Sequence, residues 1–237
     1  MWLSIVIPAF NEEKRIHKIL DSVLKYLKNK KDTYEILVVD DGSSDNTAGV
    51  VRSRIKSTPN LRLLSYGENK GKGYAVKYGM LNAKGDYRLF ADADNSTPFE
   101  EIDKFIPLLE SGTCDIAIGS RGLKESNVEI SQSWLKSSLG KLGNRVVDII
   151  LGLDISDTQC GFKCFTARSV DVLFPKQLQE KWSFDMELLF LAKKHGVKVR
   201  EVPVRWINDI NSKVKPLDYI KVFFQVFYIR VSHVLDK

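Results

Sequence analysis

Apolar and polar positions alternate in blocks along the first half of the chain. Short runs that are almost continuously apolar, at residues 3–8, 34–39 and 87–91, are separated by longer stretches such as 12–28, where apolar side chains recur every three or four positions. The short runs predict strands buried on both faces, and the longer stretches predict amphipathic helices. This alternation predicts an α/β fold, in which a mostly parallel sheet carries helices on both faces.

The same alternation continues to about residue 121, after which the pattern changes. Runs at 61–66 and 115–119 predict two more strands, and Pro98 favours a helix that begins there and ends at Leu109. Residues 122–133 are polar and aperiodic and predict a loop. Other predicted elements are helices at 44–55, 74–83, 135–151 and 185–195 and strands at 161–165 and 197–204.

The C-terminal segment, residues 217–235, is rich in aromatic side chains but carries charges. Thirteen of its 19 residues are apolar or aromatic, yet Asp218 and Lys221 interrupt it, so it falls short of the ~20 predominantly apolar residues that span a bilayer. It predicts an amphipathic helix that lies in a membrane interface, packs on the sheet or forms a dimer contact. We therefore divide the chain into a domain, residues 1–213, and a C-terminal helix, residues 214–237.

Composition and charge narrow the function classes. The chain is 43% apolar and 28% charged, which excludes intrinsic disorder. Its 36 Lys and Arg exceed 30 Asp and Glu, for a net charge of +6. This excess of positive charge suits a phosphate-bearing ligand or an anionic membrane surface. It is equally explained by lysines spread over the surface, where they favour solubility. Basic segments interleaved with aromatic residues are missing, so nucleic acid is not an expected partner.

Cysteine and histidine usage points to a reducing compartment. The three cysteines and three histidines are spaced in a way that fits neither a zinc site nor a disulfide framework. Reduced thiols are typical of cytosolic proteins. The residues after Met1 lack the basic region of a secretory signal. We therefore expect the domain to lie in the cytosol.

Polar clusters directly follow four of the predicted strands. They lie at residues 8–12, 40–45, 92–94 and 119–121. In an open parallel sheet, ligands bind beyond the carboxyl ends of the strands. Four clusters at that edge predict one binding site.

Asp92 and Asp94 are the sharpest pair among these clusters. Residues two apart in an extended segment face the same side, so both carboxylates are expected to converge. Adjacent carboxylates repel unless a cation or a proton joins them. They predict a site for Mg²⁺ or Mn²⁺ completed by water and substrate phosphates, although an acidic turn before the helix at Pro98 is the simpler alternative.

Asp40 and Asp41 have two compatible interpretations. Their carboxylates suit hydrogen bonds from a nucleobase or a ribose, and the residues that follow suit a turn and a helix cap. Residues 67–73 contain three glycines but do not match the phosphate-binding loop of ATPases, because the spacing is one residue short. We expect a glycine-dependent turn in which Lys72 reaches a phosphate or a ribose.

Arg121, Lys136 and Lys213 lie in or near predicted loops. Each by itself is typical of a solvated surface charge. Asp157 precedes the predicted strand at 161–165 and is either a functional carboxylate or a turn-forming residue.

Taken together, these segments resemble glycosyltransferase family 2. The similarity is strongest to the polyprenyl-phosphate sugar synthases, and among them to the dolichyl-phosphate β-glucosyltransferases. The motifs that carry it are PAFNEE (8–13), VVDDGSSDNT (38–47), NKGKG (69–73), DAD (92–94), GSR (119–121), DTQCGFK (157–163), WSFDMELL (182–189) and SK (212–213).

The resemblance implies a GT-A fold and an inverting, metal-dependent transfer of a hexose from a nucleotide sugar to dolichyl or polyprenyl phosphate. UDP-glucose is the first expected donor, with UDP-GlcNAc or GDP-mannose as alternatives. The enzyme would act as a peripheral protein on the cytoplasmic side of a membrane.

The resemblance and the residue patterns together assign a set of site residues. Asp92 and Asp94 would hold Mg²⁺ or Mn²⁺, Arg121 and Lys136 would meet the acceptor phosphate, and Asp157 and Asp94 would serve catalysis, Asp157 by orienting a partner. The predicted nucleotide-sugar site comprises Pro8, Phe10, Glu12, Val39, Asp40, Asp41, Lys72, Asp92, Ala93, Asp94, Ser96, Arg121 and Lys213.

Departures from the family pattern leave alternatives open. Ser96 stands where mannosyl relatives have a glutamine on the metal side, and Asn211 stands where relatives have a glycine. Processive synthases with a hydroxyl acceptor carry Q-x-x-R-W, whereas residues 179–182 are one residue short and lack the arginine. A family 2 enzyme with a hydroxyl acceptor and a non-catalytic nucleotide-sugar-binding protein are the two alternatives.

Overall fold

A central sheet of seven strands organises the chain. The computed structural model describes residues 2–28, 30, 33–129, 147, 149–207 and 216–233. The strands of the main sheet are β1 (Leu3–Ala9), β2 (Tyr34–Asp40), β3 (Leu61–Ser65), β4 (Tyr87–Ala91), β5 (Ile116–Ser120), β7 (Phe162–Thr166) and β8 (Val199–Pro203), and a separate pair consists of β6 (Asn127–Glu129) and β9 (Arg205–Ile207).

The strand order in the main sheet is β3-β2-β1-β4-β7-β5-β8. All neighbouring pairs are parallel except those of β7, which runs antiparallel to both β4 and β5. The mostly parallel sheet is therefore confirmed. The position of β7 between β4 and β5 has no counterpart in the local pattern, because strands of either direction buried on both faces have the same apolar composition.

Helices cover both faces of this sheet. The helices are α1 (Ile16–Leu27), α2 (Thr47–Ile55), α3 (Lys72–Asn82), α4 (Ile106–Glu110), α5 (Ala167–Leu173), α6 (Phe184–Lys194) and α7 (Pro216–Ser232), with 3₁₀ turns at Phe99–Lys104 and Phe174–Lys176. The single helix predicted from Pro98 to Leu109 is wrong. Pro107 has no backbone N–H to continue a helical ladder, so the 3₁₀ turn ends and α4 begins with Pro107 in its first turn.

Alternate side chains of each central strand point into two separate cores. In β1, Ile5 and Ile7 pack with α1, whereas Val6 packs with α3 on the opposite face. In β2, Val38 and Val39 divide in the same way. A strand with both faces buried must be continuously apolar, which is the pattern that the sequence shows.

The polar stretch at 122–133 is not entirely a loop. Asn127–Glu129 forms β6, which pairs in parallel with β9. A three-residue strand is too short for a periodic signal, and its partner comes from a distant part of the chain. The prediction of an irregular loop is therefore wrong for these three residues.

Helix α7 buries one face on the domain and exposes another. Val226, Ile229 and His233 are buried, and the Gln225 side chain accepts a hydrogen bond from the Ser183 hydroxyl. None of the described helices is long and apolar enough to cross a membrane. The opposite face carries an apolar stripe, defined by Phe224, Phe227, Tyr228 and Val231, whose exposed fractions are 67%, 59%, 55% and 58%.

A buried ion pair joins β7 to α6 beneath the carboxyl edge of the sheet. The Lys163 ammonium lies 2.5 Å from Oδ1 of Asp185 and donates to the carbonyl of Cys160 at 2.6 Å. Both side chains are at least 95% buried. Burial raises the pKa of Asp185, and the attraction of Lys163 opposes that rise. Removing either partner would leave the other charge buried without its ion-pair partner, which is strongly unfavourable.

We predict that Lys163→Met destabilises the fold by about 3–5 kcal/mol, because it leaves the buried Asp185 carboxylate without its ion-pair partner. Urea unfolding followed by circular dichroism measures this change. The double variant Lys163→Met/Asp185→Leu should recover most of the loss, because it removes both charges. A loss no larger than that of Lys176→Met, at an exposed position, would refute the prediction.

Candidate active site

The four polar clusters lie at one edge of the sheet. β1, β2 and β4 are parallel neighbours, and β5 runs in the same direction because antiparallel β7 separates it from β4. The carboxyl ends of these strands therefore meet at the same edge. The clusters that follow them are residues 8–12, 40–45, 92–94 and 119–121.

The Asp92 carboxylate is held from two sides at the end of β4. The Lys72 ammonium lies 2.6 Å from Oδ1 of Asp92, and the Asp92 backbone N–H donates to the Gly161 carbonyl at 3.0 Å. A Cβ on Gly161 would lie 1.9 Å from Oδ2 of Asp92, so a glycine is required for this approach. Burial lowers the pKa of Lys72, but attraction from Asp92 and Asp185 outweighs it, and the net pKa is raised. Lys72 is therefore cationic.

Asp94 places a second carboxylate beside Asp92. Oδ1 of Asp94 accepts a hydrogen bond from the Ser96 backbone N–H at 2.9 Å. Burial raises the pKa of Asp94, repulsion from Asp92 raises it further, and the Ser96 bond opposes both. A hard divalent cation bound by both carboxylates would offset their mutual repulsion, and carboxylate oxygens are ligands that such a cation prefers. The pair therefore fits Mg²⁺ or Mn²⁺ with water and phosphate oxygens as further ligands; the described residues include no cluster of three His, Cys, Asp or Glu that could hold a metal.

Arg121, after β5, forms a bidentate ion pair with Asp157. Nε and Nη2 of Arg121 lie 2.6 and 2.8 Å from Oδ2 and Oδ1 of Asp157, and the Arg121 backbone N–H donates to Oδ2 at 3.0 Å. The guanidinium also lies over the Trp206 ring, 5.2 Å from its centroid. Contacts with a carboxylate and with an aromatic ring together fix the orientation of the guanidinium group. About a third of the Arg121 side chain remains exposed to meet an anion.

The surroundings of Asp157 indicate that it orients Arg121. Burial alone would raise the pKa of Asp157, but the hydrogen bonds and charge of Arg121 outweigh it, and the pKa is lowered. Oδ1 also accepts from the Gln159 backbone N–H at 3.2 Å. A carboxylate with a lowered pKa and with both oxygens occupied is a poor proton acceptor near neutral pH. The geometry is that of a positioning residue.

Asp41 organises the loop that leads into α3. Asp41 is 3% exposed, and its carboxylate accepts hydrogen bonds from the segment 66–71, which immediately precedes Lys72. These bonds tie the end of β2 to the residue that contacts Asp92. The donors are the Tyr66 hydroxyl at 3.0 Å, the Asn69 amide at 2.9 Å and the backbone N–H groups of Lys70 and Gly71 at 2.8 and 3.0 Å.

Asp40 and Glu12 also have partners within the protein. Asp40 is 4% exposed and accepts from the Ser43 backbone N–H at 3.1 Å, which is the turn interaction that the sequence favours. Both oxygens of Glu12 contact the Arg15 guanidinium at 2.6 Å. The described structure thus gives both carboxylates roles in shaping loops at the edge of the sheet.

The other predicted nucleotide-site residues differ in accessibility. Pro8 and Val39 are buried within strands, and Ala93 is buried between the two aspartates. Phe10 is 40% exposed after β1. The Ser96 carbonyl accepts from the Ile207 backbone N–H at 2.8 Å, which ties β9 to the acidic pair.

Two residues at this edge, Trp206 and Gly161, are not among the predicted site residues, and two predicted ones lie outside the described part of the chain. Lys136 and Lys213 lie outside the described residues. Trp206 and Gly161 line a small cavity together with Asp92, Ser96, Thr97 and Phe162. The Trp206 ring also contacts the Arg121 guanidinium, so Trp206 links the cavity that Asp92 lines to the Arg121–Asp157 pair. Gly161 belongs to the DTQCGFK motif, which could have identified it, whereas Trp206 belongs to none of the motifs.

Comparisons with known proteins agree with this architecture. A family model described as "Glycosyl transferase family 2" matches residues 4–172. A protein of Dictyostelium discoideum named dolichyl-phosphate beta-glucosyltransferase is 38% identical over 99% of this chain and 76% of its own length. Proteins of the same name from Saccharomyces cerevisiae and Homo sapiens are each 34% identical, over 99% and 98% of this chain and 76% and 75% of their own lengths.

Solved structures show the same fold. Glucosyl-3-phosphoglycerate synthase from Mycobacterium tuberculosis, crystallised with Mn²⁺, UDP and glucosyl-3-phosphoglycerate, superposes with a TM-score of 0.70 at 19% identity, over 98% of this chain and 79% of that one. S. aureus TarS, in complex with UDP-GlcNAc, has a TM-score of 0.58 at 20% identity, over 97% and 66% of the two chains. The expected GT-A fold is thereby confirmed.

We predict a pH-dependent stabilisation from Asp157. Its pKa is lower in the folded state than the ordinary value of 3.8, so its contribution is fully present above pH 3.8 and is lost as the pH falls through the folded-state value. The difference in unfolding free energy between the wild type and Asp157→Asn should therefore be constant from pH 7 to 5 and shrink below pH 4. Urea titrations between pH 7 and 3 measure it, and a difference that does not shrink would contradict the assignment.

Proposed function

The chain belongs to glycosyltransferase family 2, and we propose that it transfers glucose from UDP-glucose to dolichyl or another polyprenyl phosphate. An acceptor phosphate oxygen forms a bond to C1 of the sugar as the bond from C1 to UDP breaks, which inverts C1 and releases UDP. One observation carries the proposal: Asp92, from the pair of carboxylates suited to a metal diphosphate, lines the same cavity as Trp206, whose ring contacts the guanidinium of Arg121. The shared name of the relatives supports the choice of sugar and acceptor.

On the donor side, Asp92 and Asp94 would hold Mg²⁺ or Mn²⁺ against the diphosphate. A divalent ion held by these carboxylates would supply positive charge to offset the charge on the departing diphosphate. Lys72, 2.6 Å from Asp92, lies where its ammonium contributes to the same neutralisation. The remaining pocket is assigned from the sequence prediction to Pro8, Phe10, Glu12, Val39, Asp40, Asp41, Ala93 and Ser96, with Lys213 as a further donor-phosphate ligand.

On the acceptor side, Arg121 would bind the lipid phosphate, with Lys136 as a second cation assigned by resemblance. A phosphate monoester has a second pKa of about 6, so it is mostly a dianion at neutral pH and needs little help from a base. The protein must instead bring two anions together. Arg121 can do so because Asp157 and Trp206 hold its guanidinium in one direction.

Helix α7 supplies a surface that fits a membrane. The apolar stripe of Phe224, Phe227, Tyr228 and Val231 faces away from the domain. Aromatic side chains on one face of an amphipathic helix suit the boundary between headgroups and acyl chains. Because a polyprenyl phosphate resides in a bilayer, we propose that the enzyme docks peripherally on the cytoplasmic side through this stripe.

The test is a product assay with matched glycine variants. Purified protein with Mn²⁺, UDP-glucose and a short polyprenyl phosphate should yield a glucosylated lipid phosphate with UDP released, whereas UDP-GlcNAc and GDP-mannose should yield less. Gly161→Ala should lower the rate at least tenfold, because its Cβ displaces the Asp92 carboxylate. Gly67→Ala, whose Cβ would meet nothing within 4 Å, should leave the rate unchanged.

The same panel separates the alternatives. If a product formed only with a sugar or polyol acceptor, the acceptor would be a hydroxyl group and not a lipid phosphate. Binding of UDP-glucose without any product would favour a nucleotide-sugar-binding protein. If manganese did not promote uptake of any nucleotide sugar in calorimetry, the transferase assignment would fail.

We predict that Phe224→Gln/Phe227→Gln lowers liposome binding at least fivefold in flotation assays, because it removes the most exposed aromatic side chains of the stripe. Leu81→Gln, which removes an exposed apolar side chain of α3, is the matched control and should bind as the wild type does. Substitution is preferable to deletion of α7, since deletion would also remove the buried Val226 and Ile229. Equal flotation of all three proteins would contradict the membrane role of the stripe.

A further inference from the structure

Two fully buried polar side chains join α6 to α7. Nε2 of His233, at the end of α7, lies 2.7 Å from Oε1 of Glu187 in α6, and both side chains are 0% exposed. Glu187 also accepts hydrogen bonds from the backbone N–H groups of Leu178 and Gln179, at 3.0 and 2.7 Å. A buried carboxyl group with these partners fixes their relative positions, because each lost bond leaves a buried polar atom unsatisfied.

The segment 177–182, which Glu187 anchors, closes over the start of α3. The Gly73 and Tyr74 backbone N–H groups donate to the carbonyls of Lys181 and Glu180 at 3.2 and 2.9 Å. The Gln177 side-chain amide in turn donates to the Gly73 carbonyl at 3.0 Å. The first N–H groups of a helix have no partner within it, so this segment acts as the N-terminal cap of α3.

Glycines allow the cap and the helix to make close contact. A Cβ on Gly71 would lie 2.6 Å from the Glu180 carbonyl oxygen, and a Cβ on Gly73 would lie 2.6 Å from that of Gln179. The Glu180 oxygen is held by the Tyr74 backbone N–H at 2.9 Å, and the Gln179 oxygen accepts from the Gln177 side-chain amide at 2.8 Å. The backbone on both sides of Lys72 is therefore set by segment 177–182.

Lys72 is the residue through which this arrangement reaches the site. Its ammonium lies 2.6 Å from Asp92 and 5.7 Å from the centroid of the Trp182 ring, which belongs to the same segment. A shift of segment 177–182 would thus move both the backbone and the aromatic neighbour of Lys72.

We propose that His233 and Glu187 are positioning residues for the donor site: through segment 177–182 they hold Lys72 against Asp92, so that the C-terminal helix is part of the scaffold for nucleotide-sugar binding. This inference rests on the proposed function in one respect, that Lys72 faces the donor diphosphate. The chain of contacts from α7 to Asp92 stands independently of it. Helix α7 thereby has a second role besides presenting the apolar stripe.

The test compares three variants, two at His233 and one at Arg230, by hydrogen exchange and by UDP-glucose binding with Mn²⁺. His233→Leu should raise amide exchange at least fivefold in peptides covering 70–78 and 177–183, and weaken UDP-glucose binding about tenfold. His233→Gln should restore both, because its amide N–H can donate to Glu187. Arg230→Gln is the matched control, since Arg230 donates to the Ile150 carbonyl, outside this chain of contacts, and it should alter neither measurement.

Kinetics separate positioning from general destabilisation. The apparent KM for UDP-glucose should rise in His233→Leu by more than kcat falls. If His233→Leu does not fold, Glu187→Gln takes its place, because it keeps the side-chain volume and loses one acceptor oxygen. Glu187→Gln should change amide exchange and UDP-glucose binding in the same direction, by a smaller factor.

Three outcomes would overturn the proposal: a lower melting temperature with unchanged exchange at 70–78, equal effects of Arg230→Gln and His233→Leu, or no rescue by His233→Gln. If the wild type binds no UDP-glucose, the proposed function fails, while the exchange data still decide whether α7 positions segment 177–182 and α3.

Discussion

The contact of the Asp92 carboxylate with Lys72 and Gly161 is the interaction on which the site depends. It brings together the end of β4, the start of α3 and the entrance to β7. Each of these parts is fixed by its own constraint. β4 is the central strand of the sheet and is buried from Arg88 to Ala91, and α3 is capped by segment 177–182. Gly161, before β7, lies so close to Asp92 that a Cβ there would overlap the carboxylate. A carboxylate held in this way is preorganised for a cation, since it needs no rearrangement when the ligand arrives.

Charge balance explains why so many ionisable groups can be buried at this edge. Asp157 is matched by Arg121, Asp185 by Lys163, and Asp92 by Lys72. Each pair links two elements that are distant along the chain, so the pairs hold the elements together as well as compensating desolvation. Asp94 has a raised pKa, because its burial and the repulsion from Asp92 outweigh the hydrogen bonds of Ser96 and the attraction of Lys72. This imbalance is the electrostatic feature that favours a divalent cation and an anionic ligand.

Much of the fold and part of the site were predictable from local patterns. The apolar strands, the helices on both faces and the four polar clusters follow from periodicity, because burial on both faces imposes a continuous apolar run on a strand. The pairing of Asp92 with Asp94 follows from their spacing. By contrast, the insertion of antiparallel β7 between β4 and β5 and the short β6–β9 pair depend on partners that no local window contains. The interruption before Pro107 differs from these, since Pro107 itself is a local signal.

The sequence by itself determined which chemical groups stand at the ends of the strands, since both the alternation of apolar runs and the residue types in the following turns are local properties. Only the tertiary structure decided which of those groups meet. Asp157 reaches Arg121 and Glu187 reaches His233 because separate elements pack side by side. Helix α7 shows the same division: its amphipathic character is a matter of composition, but which face is buried depends on the surface against which it packs. Contacts between distant residues carry no periodic signal, and packing alone selects them.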